Sequence, residues 1–534
     1  MKHIVVLFTA LCFAGNIATA QEAVQELSKK ASKGFIADTD NSGGNYLITY
    51  KIGGDKKKQE VFYETYLFDK NLQFIKNEET AAPKFSAAEM PDKTQTRFGA
   101  YVGGCGMDVL SMKLKLTSTT INTKWDYKKQ RYVFDKTLTS ETIKAKNENG
   151  KYYGYAAFNN EMDGTLFIIA ATEGKKDKND FYILSVSSSL EVSEKAIDIT
   201  GSQSLVYTRQ LGSGDVAMIF APKKKEADMS AYTYLLYSAK GELKNKVNFK
   251  SPSSNMLVTN VQESNGSIYF CATSTKSNDS FDDVFDDYTA EISNPCYKVA
   301  QNYKDERWMK KADDKMDNFH LLKFTGNQLV FATTTVVSDF KSKFKTAPAD
   351  KGADPYKGKN FQINTFYVTA NEEYLVAGQL INHVNFGAGN PVKSYEDIIC
   401  FYFDKAGQLK TQFGTQKMNT EKKSEIYPIG QEFVASKDGK SVYWAILEVK
   451  GFKGYDGFWN AYNGNISYYG KYFPRIAKID LQNNSIDNFK ILGNEKFYVS
   501  SFLLPMIDTK ENSVTFIGND EDYKKLWLAK YVFD

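Results

Sequence analysis

Five aspartates lie within nine residues and could supply oxygen ligands to a metal ion: Asp279, Asp282, Asp283, Asp286 and Asp287. Calcium prefers such clusters of carboxylates, but the alternate-residue spacing and the glycine of an EF-hand loop are missing here. The favoured interpretation is a solvated acidic loop. The five aspartates stay the candidates for a metal site, and no cofactor is expected.

A second group of residues suits binding. The stretch 451–473 combines nine aromatic residues with five glycines. Glycine gives a loop freedom, while Trp and Tyr are rigid amphipathic anchors that dominate interface energetics. We therefore predict a partner-binding loop that uses Phe452, Tyr455, Phe458, Trp459, Tyr462, Tyr468 and Tyr469. Two alternatives stay open: the rings cap the core of the fold, or they stack on carbohydrate.

The common catalytic motifs are absent. The sequence contains no G-x-S-x-G and no H-E-x-x-H. The glycines around Cys105 fail the dinucleotide fingerprint, because Val109 stands where Gly or Ala is needed. His320 and His383 lie far apart and are predicted to be packed or surface histidines, so no catalytic residues are assigned. Glycoside cleavage stays open, because it requires only two carboxylates.

The N-terminus has the pattern of an export signal. An apolar run from Ile4 to Ala14 leads to the small-x-small site Ala18-Thr19-Ala20, which predicts cleavage before Gln21. Residues 1–20 are thus a predicted signal peptide, and the mature protein is predicted to be periplasmic and associated with the outer membrane. A lipoprotein acylated on Cys12 is the alternative. No later segment is long and apolar enough for a membrane helix.

The composition narrows the class of partner. Lys and Arg number 68 against 64 Asp and Glu, a balance that argues against nucleic acid or a polybasic membrane role. Aromatic residues make up 14% of the chain and favour strands. Cys271 and Cys400 lie in apolar strand patterns and are predicted to be buried, and no C-x-x-C pair indicates a redox or zinc site. Disulfide bonds among the cysteines stay open.

One local pattern recurs along the chain. A short apolar run ends in Asp or Ser, turn-forming residues follow, and an apolar residue resumes. The clearest copies are 66–72, 235–243 and 401–409, with further copies around Ser187 and Gln482. Each copy predicts a β-hairpin whose turn tolerates a left-handed backbone.

An unbroken apolar run usually precedes these hairpins. Such a run predicts a strand that is covered on both faces, as neighbouring propeller blades would cover it. The examples are 164–171, 214–221, 266–272, 327–332, 440–447 and 512–518.

The spacing predicts an all-β fold, a β-propeller. The turns at Ser187 and Ser238 lie 51 residues apart, and a four-stranded blade takes roughly 40–50 residues. We predict about seven blades, with six to eight open, in a single domain over residues 21–534. Stacked β-sandwich domains are the competing fold. Long loop insertions are expected at 274–316, 340–360 and 451–473.

The two ends of the mature chain carry further predictions. Residues 526–534 have a strand pattern up to the last residue, and 46–52 are the predicted partner that would close the ring. Residues 21–33 are predicted to form a short helical lead-in.

The functional prediction is a non-catalytic periplasmic propeller that binds a protein partner, plausibly an outer-membrane channel of secretion or transport. The alternative is a polysaccharide-binding or glycoside-cleaving propeller. The leader, the Lys-, Asn- and Tyr-rich β-repeats and the aromatic insert resemble the periplasmic plug subunit of the type IX secretion translocon. This resemblance covers the general character of residues 21–534 and no diagnostic motif. It implies that 451–473 or 274–316 would enter or cap the channel.

Overall fold

The structure is a computed structural model. It describes residues 20–41, 43–55, 60–83, 93–102, 114–126, 131–144, 146–147, 150–159, 165–172, 181–187, 189–223, 228–285, 316–350, 352–385, 391–418, 429–453, 469–493, 496–500, 505–508 and 510–533. Contacts within the chain divide it into two compact units. One consists of residues 1–84, 418–424 and 429–534, and the other of residues 85–417 and 425–428.

Strands dominate the described residues. The first are β1 (Ala20–Glu26), β2 (Phe35–Asp40), β3 (Tyr46–Asp55), β4 (Glu60–Phe68) and β5 (Phe74–Pro83), with a 3-10 turn at Ala31–Lys33. The next are β6 (Lys93–Val102), β7 (Leu114–Asp126), β8 (Arg131–Lys144), β9 (Lys146–Asn147), β10 (Gly150–Asn159), β11 (Leu166–Thr172), β12 (Phe181–Val186), β13 (Val192–Ala196), β14 (Gln203–Gln210), β15 (Val216–Pro222), β16 (Ala231–Tyr237) and β17 (Leu243–Lys250).

The chain continues through β18 (Leu257–Ser264), β19 (Ser267–Ser274), β20 (Asn318–Thr325), β21 (Gln328–Val336), β22 (Phe344–Thr346), β23 (Phe361–Val368), β24 (Tyr374–Asn385), β25 (Pro391–Phe403) and β26 (Leu409–Thr415). Two short helices lie among them, α1 (Phe281–Phe285) and α2 (Val337–Ser342). The last strands are β27 (Gly430–Ala435), β28 (Ser441–Lys453), β29 (Tyr469–Asp480), β30 (Ser485–Ile486), β31 (Lys490–Ile491), β32 (Phe497–Ser500), β33 (Met506–Asp508), β34 (Ser513–Asp520) and β35 (Lys525–Val532).

The unit of residues 85–417 and 425–428 consists of five small sheets that follow one another along the chain. Their strand orders are β6-β7-β8, β9 to β13, β14 to β17, β18 to β21, and β23-β24-β25-β26-β22. Neighbouring strands are antiparallel, apart from β22, which runs parallel to β26. Each sheet is the length of one propeller blade, as the sequence predicts.

Aromatic and branched side chains pack consecutive sheets of this unit face to face. Phe181 on β12 meets Phe220 on β15, with ring centroids 5.2 Å apart. Tyr234 on β16 lies 4.4 Å from Phe324 on β20. Because both faces of an inner strand are covered in this way, strands such as β11 and β15 are buried along their whole length. The all-β, propeller-type prediction is therefore confirmed.

The other unit contains two sheets. One has the order β2-β3-β4-β5, and the larger runs β1-β35-β34-β32-β29-β28-β27, with β30 and β31 on β29 and β33 on β34. The larger sheet thus joins two sets of strands through the pairing of β29 with β32. The described strands of the whole chain form seven sheets, of which the largest combines two sets of strands.

Two predictions for the chain ends are wrong. Residues 20–26 form strand β1 instead of a helix, and β35 pairs with β1 rather than with 46–52. The reason is that β35 pairs with β34 along one edge only, which leaves its other edge available to β1. Two hydrogen bonds to Glu22 hold β1 at this edge. Its carboxylate accepts the Trp527 indole N–H at 3.2 Å and the Gly493 backbone N–H at 3.0 Å. Strand β3 is already paired on both edges, with β2 and β4.

The predicted hairpins are confirmed, and three of their turns share one hydrogen-bonding pattern. In the turns that begin at Asp69, Ser238 and Asp404, the first side chain accepts the backbone N–H groups two and four residues later. Asp69 does so for Asn71 and Gln73 at 2.9 and 2.8 Å, and Asp404 does so for Ala406 and Gln408 at 3.0 Å. The residue that follows the bend has a left-handed backbone, with φ of 60° at Leu72 and 72° at Gly407.

The predicted covered strands are confirmed with one exception. Residues 327–332 fall on β21, which is the fourth strand of its sheet and lies at the edge. Val330 there is 53% exposed. The apolar run alone does not distinguish this edge strand from an inner one.

The buried cysteines and one histidine agree with their predictions. Cys271 and Cys400 are buried and free. His320 is fully buried, with Nε2 2.8 Å from the Ser274 hydroxyl and Nδ1 3.0 Å from the Thr334 hydroxyl. Burial lowers the pKa of His320 to about 4. This histidine is thus held neutral by its surroundings, and no acidic side chain pairs with either ring nitrogen in the described residues.

We expect stability to fall as the pH drops from about 6.5 to 4. His320 stays neutral in the folded protein over that range, while in the unfolded chain it takes up a proton near its ordinary pKa. The difference corresponds to about 3 kcal/mol of unfolding free energy lost by pH 4. Denaturant titrations at several pH values should show a shallower loss for His320→Gln than for the wild type. Equal slopes would contradict the buried neutral histidine.

Candidate functional site

The predicted partner-binding aromatics are mostly outside the described residues: Tyr455, Phe458, Trp459, Tyr462 and Tyr468. The backbones of Phe452 and Tyr469 are described and belong to the paired strands β28 and β29. The stretch 451–473 is therefore not a loop throughout, because 451–453 and 469–473 continue the antiparallel ladder. The prediction that these aromatics form a partner-binding site therefore stays a prediction.

The acidic stretch is only partly described, because Asp286 and Asp287 lie outside the described residues. Asp282 accepts a hydrogen bond from the Ser204 hydroxyl at 2.5 Å, and Asp283 accepts one from the Ser280 hydroxyl at 2.8 Å. Asp279 is exposed. Among the residues that the structure describes, no three His, Cys, Asp or Glu side chains are grouped so that they could hold a metal ion.

A different site forms where the insertion 340–360 folds against the sheet of β23 to β26. Tyr356 is buried and anchors the insertion, with its ring centroid 5.4 Å from both Phe340 and Phe401. Its backbone N–H donates to Gln412 Oε1 at 3.3 Å. At the end of the insertion the Asn360 carbonyl accepts the Ile381 N–H at 2.7 Å. The segment 354–360 is thereby held beside the central part of β24 and β25.

A β-bulge supplies two carboxyl groups at this place. Gln379 on β24 opposes Ile398 on β25, and Ile381 opposes Tyr395, so Glu396 and Asp397 together face a single residue of β24. Adjacent residues of a regular strand point to opposite faces, whereas a bulge redirects a side chain. Both Glu396 and Asp397 consequently line the same cleft.

The cleft has a volume of about 300 Å³ and a mixed lining. Asp354 adds a third carboxylate to those of the bulge, and its Oδ2 accepts the Lys357 ammonium at 2.9 Å. The other lining residues are Pro355, Lys359, Asn360, Leu380, Ile381 and Asn382. The cleft therefore combines three acids, two lysines, hydrogen-bonding amides and an apolar wall.

Asp397 is the titratable group that this environment perturbs. Burial raises the pKa of its carboxyl, and the negative charges of Asp354, Asp350 and Glu396 raise it further. A hydrogen bond from the Asp354 backbone N–H to Asp397 Oδ2, at 2.7 Å, acts in the opposite direction but does not reverse the shift. A carboxyl group with a raised pKa can act as a general acid.

Buried neighbours hold Glu396 in place. The Ser394 hydroxyl donates to Glu396 Oε1 at 2.9 Å, and the Gln379 amide donates to the Glu396 backbone carbonyl at 3.2 Å. Ser394 and Gln379 are both fully buried. The site thus contains the Glu396 carboxyl, which is held by the Ser394 hydroxyl, and the Asp397 carboxyl, whose pKa is raised.

Glu396 and Asp397 were not predicted as site residues from the sequence. Glu396 and Asp397 directly precede the apolar run 398–403, so a polar pair interrupts an otherwise continuous strand pattern. This interruption is the only feature of the local sequence that marks the two residues as candidates. The sequence does not show that both line one cleft, because the bulge depends on the register between β24 and β25.

No protein-family profile matches the chain, and no curated protein sequence matches it. Solved structures do match. The lignostilbene dioxygenase of Pseudomonas brassicacearum is 10% identical, with 97% of this chain and 93% of that chain covered and a TM-score of 0.31. An α-L-arabinanase of Penicillium chrysogenum is 8% identical over 71% of this chain and 93% of its own, with a TM-score of 0.24. An α-L-arabinofuranosidase of Fusarium graminearum is 10% identical over 71% and 92%, with a TM-score of 0.23.

These findings contradict the prediction of a non-catalytic protein that binds a partner at an outer-membrane channel. The three compared structures are enzymes, and two of them are named as an arabinanase and an arabinofuranosidase. At such low identities and TM-scores the likeness concerns the fold and identifies no reaction for this chain. In the described part of the chain, no helix is long and apolar enough to cross a membrane.

Proposed function

We propose that the protein is a glycoside hydrolase whose acid and partner carboxylate are Asp397 and Glu396. The observation that carries this proposal is the β-bulge, which places two adjacent carboxyl groups in one cleft and leaves one of them with a raised pKa. Hydrolysis of a glycosidic bond requires a carboxylic acid and a second carboxylate.

The roles follow from the surroundings of each group. Asp397 in its protonated form donates its proton to the glycosidic oxygen, so that the bond between this oxygen and the anomeric carbon breaks. A water molecule attacks the anomeric carbon and forms the new C–O bond while the Glu396 carboxylate takes up one of its protons, which Glu396 then releases to solvent. Solvent returns the proton to Asp397. The raised pKa of Asp397 supports its role, because a general acid must carry its proton at the working pH.

The remaining lining suits a sugar. Asn360, Asn382 and Lys359 offer amide and ammonium groups to sugar hydroxyls, while Leu380 and Ile381 offer apolar surface to the C–H face of a ring. A volume of about 300 Å³ lies at the lower end of the range for small-ligand sites. We therefore place a short segment of a glycan in the cleft.

The test is hydrolysis of a panel of plant, bacterial and animal polysaccharides and of chromogenic glycosides, with release of reducing ends as the readout. The negative control is Glu396→Gln combined with Asp397→Asn. This pair keeps the size of both side chains and removes both carboxyls. We expect the wild type to cleave at least one glycan and the double variant to cleave none.

Two outcomes would contradict the proposal. One is cleavage by the double variant at the wild-type rate. The other is that no glycan in the panel is cleaved. In that second case, binding of the intact protein to a glycan array would indicate a polysaccharide-binding propeller that does not cleave its ligand.

A further inference from the structure

The polar groups that line the cleft fall into two sets, and the first set has partners within the chain. Asp354 accepts the Lys357 ammonium at 2.9 Å. Asp397 accepts the Asp354 backbone N–H at 2.7 Å, and Glu396 accepts the Ser394 hydroxyl at 2.9 Å. Each carboxyl group of the cleft is thus in contact with a donor of the protein, and Lys357 is engaged as well.

The second set consists of Lys359, Asn360 and Asn382, which also line the cleft. In the described part of the chain, none of these three side chains forms a hydrogen bond or an ion pair. Lys359 is exposed, so water solvates its ammonium in the free protein. A ligand in the cleft can therefore replace that water without breaking a contact within the protein.

The backbone on both sides of Lys359 is held in place. Gly358 and Asn360 have left-handed backbones, with φ of 88° and 54°. The Gly358 carbonyl accepts the Met316 N–H at 2.6 Å, and the Asn360 carbonyl accepts the Ile381 N–H at 2.7 Å. A Cβ at Gly358 would lie 2.3 Å from the Met316 carbonyl oxygen, so glycine is required there. The Lys359 side chain therefore starts from a fixed position at the cleft, although its end is exposed.

The charge of Lys359 has no counterpart in its surroundings. An ammonium group carries a full positive charge and three donors but no acceptor. Its hydrogen bonds to an anion are roughly twice as strong as hydrogen bonds between neutral groups. No carboxylate among the described residues pairs with Lys359, whereas the other lysine of the cleft is held by Asp354. The lining thus offers one cation and the uncharged amides of Asn360 and Asn382 to an anion that the ligand must bring.

We infer that the substrate of the cleft is an acidic glycan, and that Lys359 binds its carboxylate or sulfate group. Uronic acids and sulfated sugars are the two sources of such a group. The inference rests on the proposed function, because it takes the ligand of the cleft to be a glycan, but it does not require that this glycan is cleaved. Lys359 determines specificity in this scheme and takes no part in breaking the bond.

The experiment measures binding of uronate-containing, sulfated and neutral glycans on an array. The protein carries Asp397→Asn, so that no bound glycan is consumed. Each acidic glycan that binds is then compared with its neutral form by isothermal titration calorimetry. The neutral form is the methyl ester of a uronate or the desulfated form of a sulfated sugar, so the two kinds of pair distinguish the two sources of the anion.

Two substitutions at Lys359 and one control are introduced into the same protein. Lys359→Met removes the charge and keeps the length of the side chain, whereas Lys359→Arg keeps the charge. Lys240→Met is the matched control, because Lys240 is an exposed lysine of a hairpin turn and does not line the cleft.

We expect an acidic glycan to bind at least about tenfold more tightly than its neutral form, the difference that one charge-assisted contact typically makes. Lys359→Met should remove this preference, Lys359→Arg should retain most of it, and Lys240→Met should retain all of it. The preference should decrease as the salt concentration rises, because an exposed ion pair is screened. The melting temperature should be the same for all four proteins, since Lys359 has no partner to lose.

Three results would overturn the inference: binding of neutral forms as tightly as acidic ones, an undiminished preference in Lys359→Met, or no binding to any glycan of the array. If acidic glycans bind through Lys359 but the wild type cleaves none of them, the hydrolase proposal fails and the inference stands. If the wild type cleaves a neutral glycan and shows no preference for acidic ones, the inference alone fails.

Discussion

Replacing Asp397 by asparagine is expected to lower kcat by roughly two to four orders of magnitude, the contribution that general acid catalysis typically makes. Asparagine keeps the shape of the side chain and can still accept the Asp354 N–H, which lies 2.7 Å from Oδ2 in the wild type. It cannot deliver a proton to the leaving oxygen. Initial rates on the glycan identified by the panel measure the effect.

The same substitution should leave the fold intact and raise its stability at neutral pH. The pKa of Asp397 is raised in the folded protein by burial and by neighbouring charges. A carboxyl whose pKa is higher in the folded than in the unfolded protein stabilises the fold at pH values below its unfolded pKa. This stabilisation is lost as the pH rises through the folded pKa. Asparagine has no charge to bury, so the melting temperature at pH 7 should equal or exceed that of the wild type.

The control for Asp397→Asn is Asp522→Asn, which removes one carboxylate from an exposed turn outside the cleft. We expect Asp522→Asn to have the wild-type kcat. A kcat for Asp397→Asn within a factor of two of the wild type would rule out Asp397 as the acid.

Arg475→Ala should be the most destabilising substitution proposed here, at about 3–5 kcal/mol. Arg475 on β29 pairs with Glu448 on β28 at 2.9 Å, and the two side chains are only 4% and 0% exposed. The guanidinium also lies 4.8 Å from the Phe489 ring. Removing the arginine leaves the Glu448 charge buried without its counter-ion, and such a charge is costly in a low-dielectric interior.

A second variant distinguishes loss of a charge partner from loss of packing. Combining Arg475→Met with Glu448→Leu removes both charges and keeps most of the volume, so it should recover most of the loss. Lys524→Ala breaks the exposed pair with Asp522 and should leave the melting temperature unchanged. If Arg475→Ala melts like the wild type in denaturant titrations, the buried pair contributes nothing to stability.

The hairpins show how much of the fold can be predicted from the sequence. An Asp or Ser followed by turn-forming residues is a local signal, and the structure uses that same side chain to bind the turn backbone, as at Asp69 and Asp404. The apolar runs predict the inner strands for a similar reason. An inner strand is packed against neighbouring sheets on both of its faces, so the residues on both faces must be apolar. Whether a strand lies inside a sheet or at its edge is not determined by its local sequence. Strand β21 has an apolar run but lies at an edge, where Val330 is exposed.

The candidate site could not be predicted in the same way. The proximity of Glu396 and Asp397 in one cleft depends on a shift in the pairing of β24 with β25. The third carboxylate, Asp354, arrives from an insertion that is anchored through the buried Tyr356. Each of these features depends on how two segments distant in sequence pack together. The residue types along one segment do not show how it packs against another. The predicted leader and periplasmic location, and the resemblance to the secretion plug subunit, stay predictions.

The pairing of β1 with β35 has a consequence for the order in which the protein can fold. Residues 20–26 are synthesised long before their partners 525–531, so this ladder has very high contact order. Such non-local pairs form slowly, because a long chain must close before they give any stabilisation. A nascent chain therefore carries β1 without this partner until residues 525–531 have emerged. That interval is when the chain is most exposed to aggregation and depends most on chaperones.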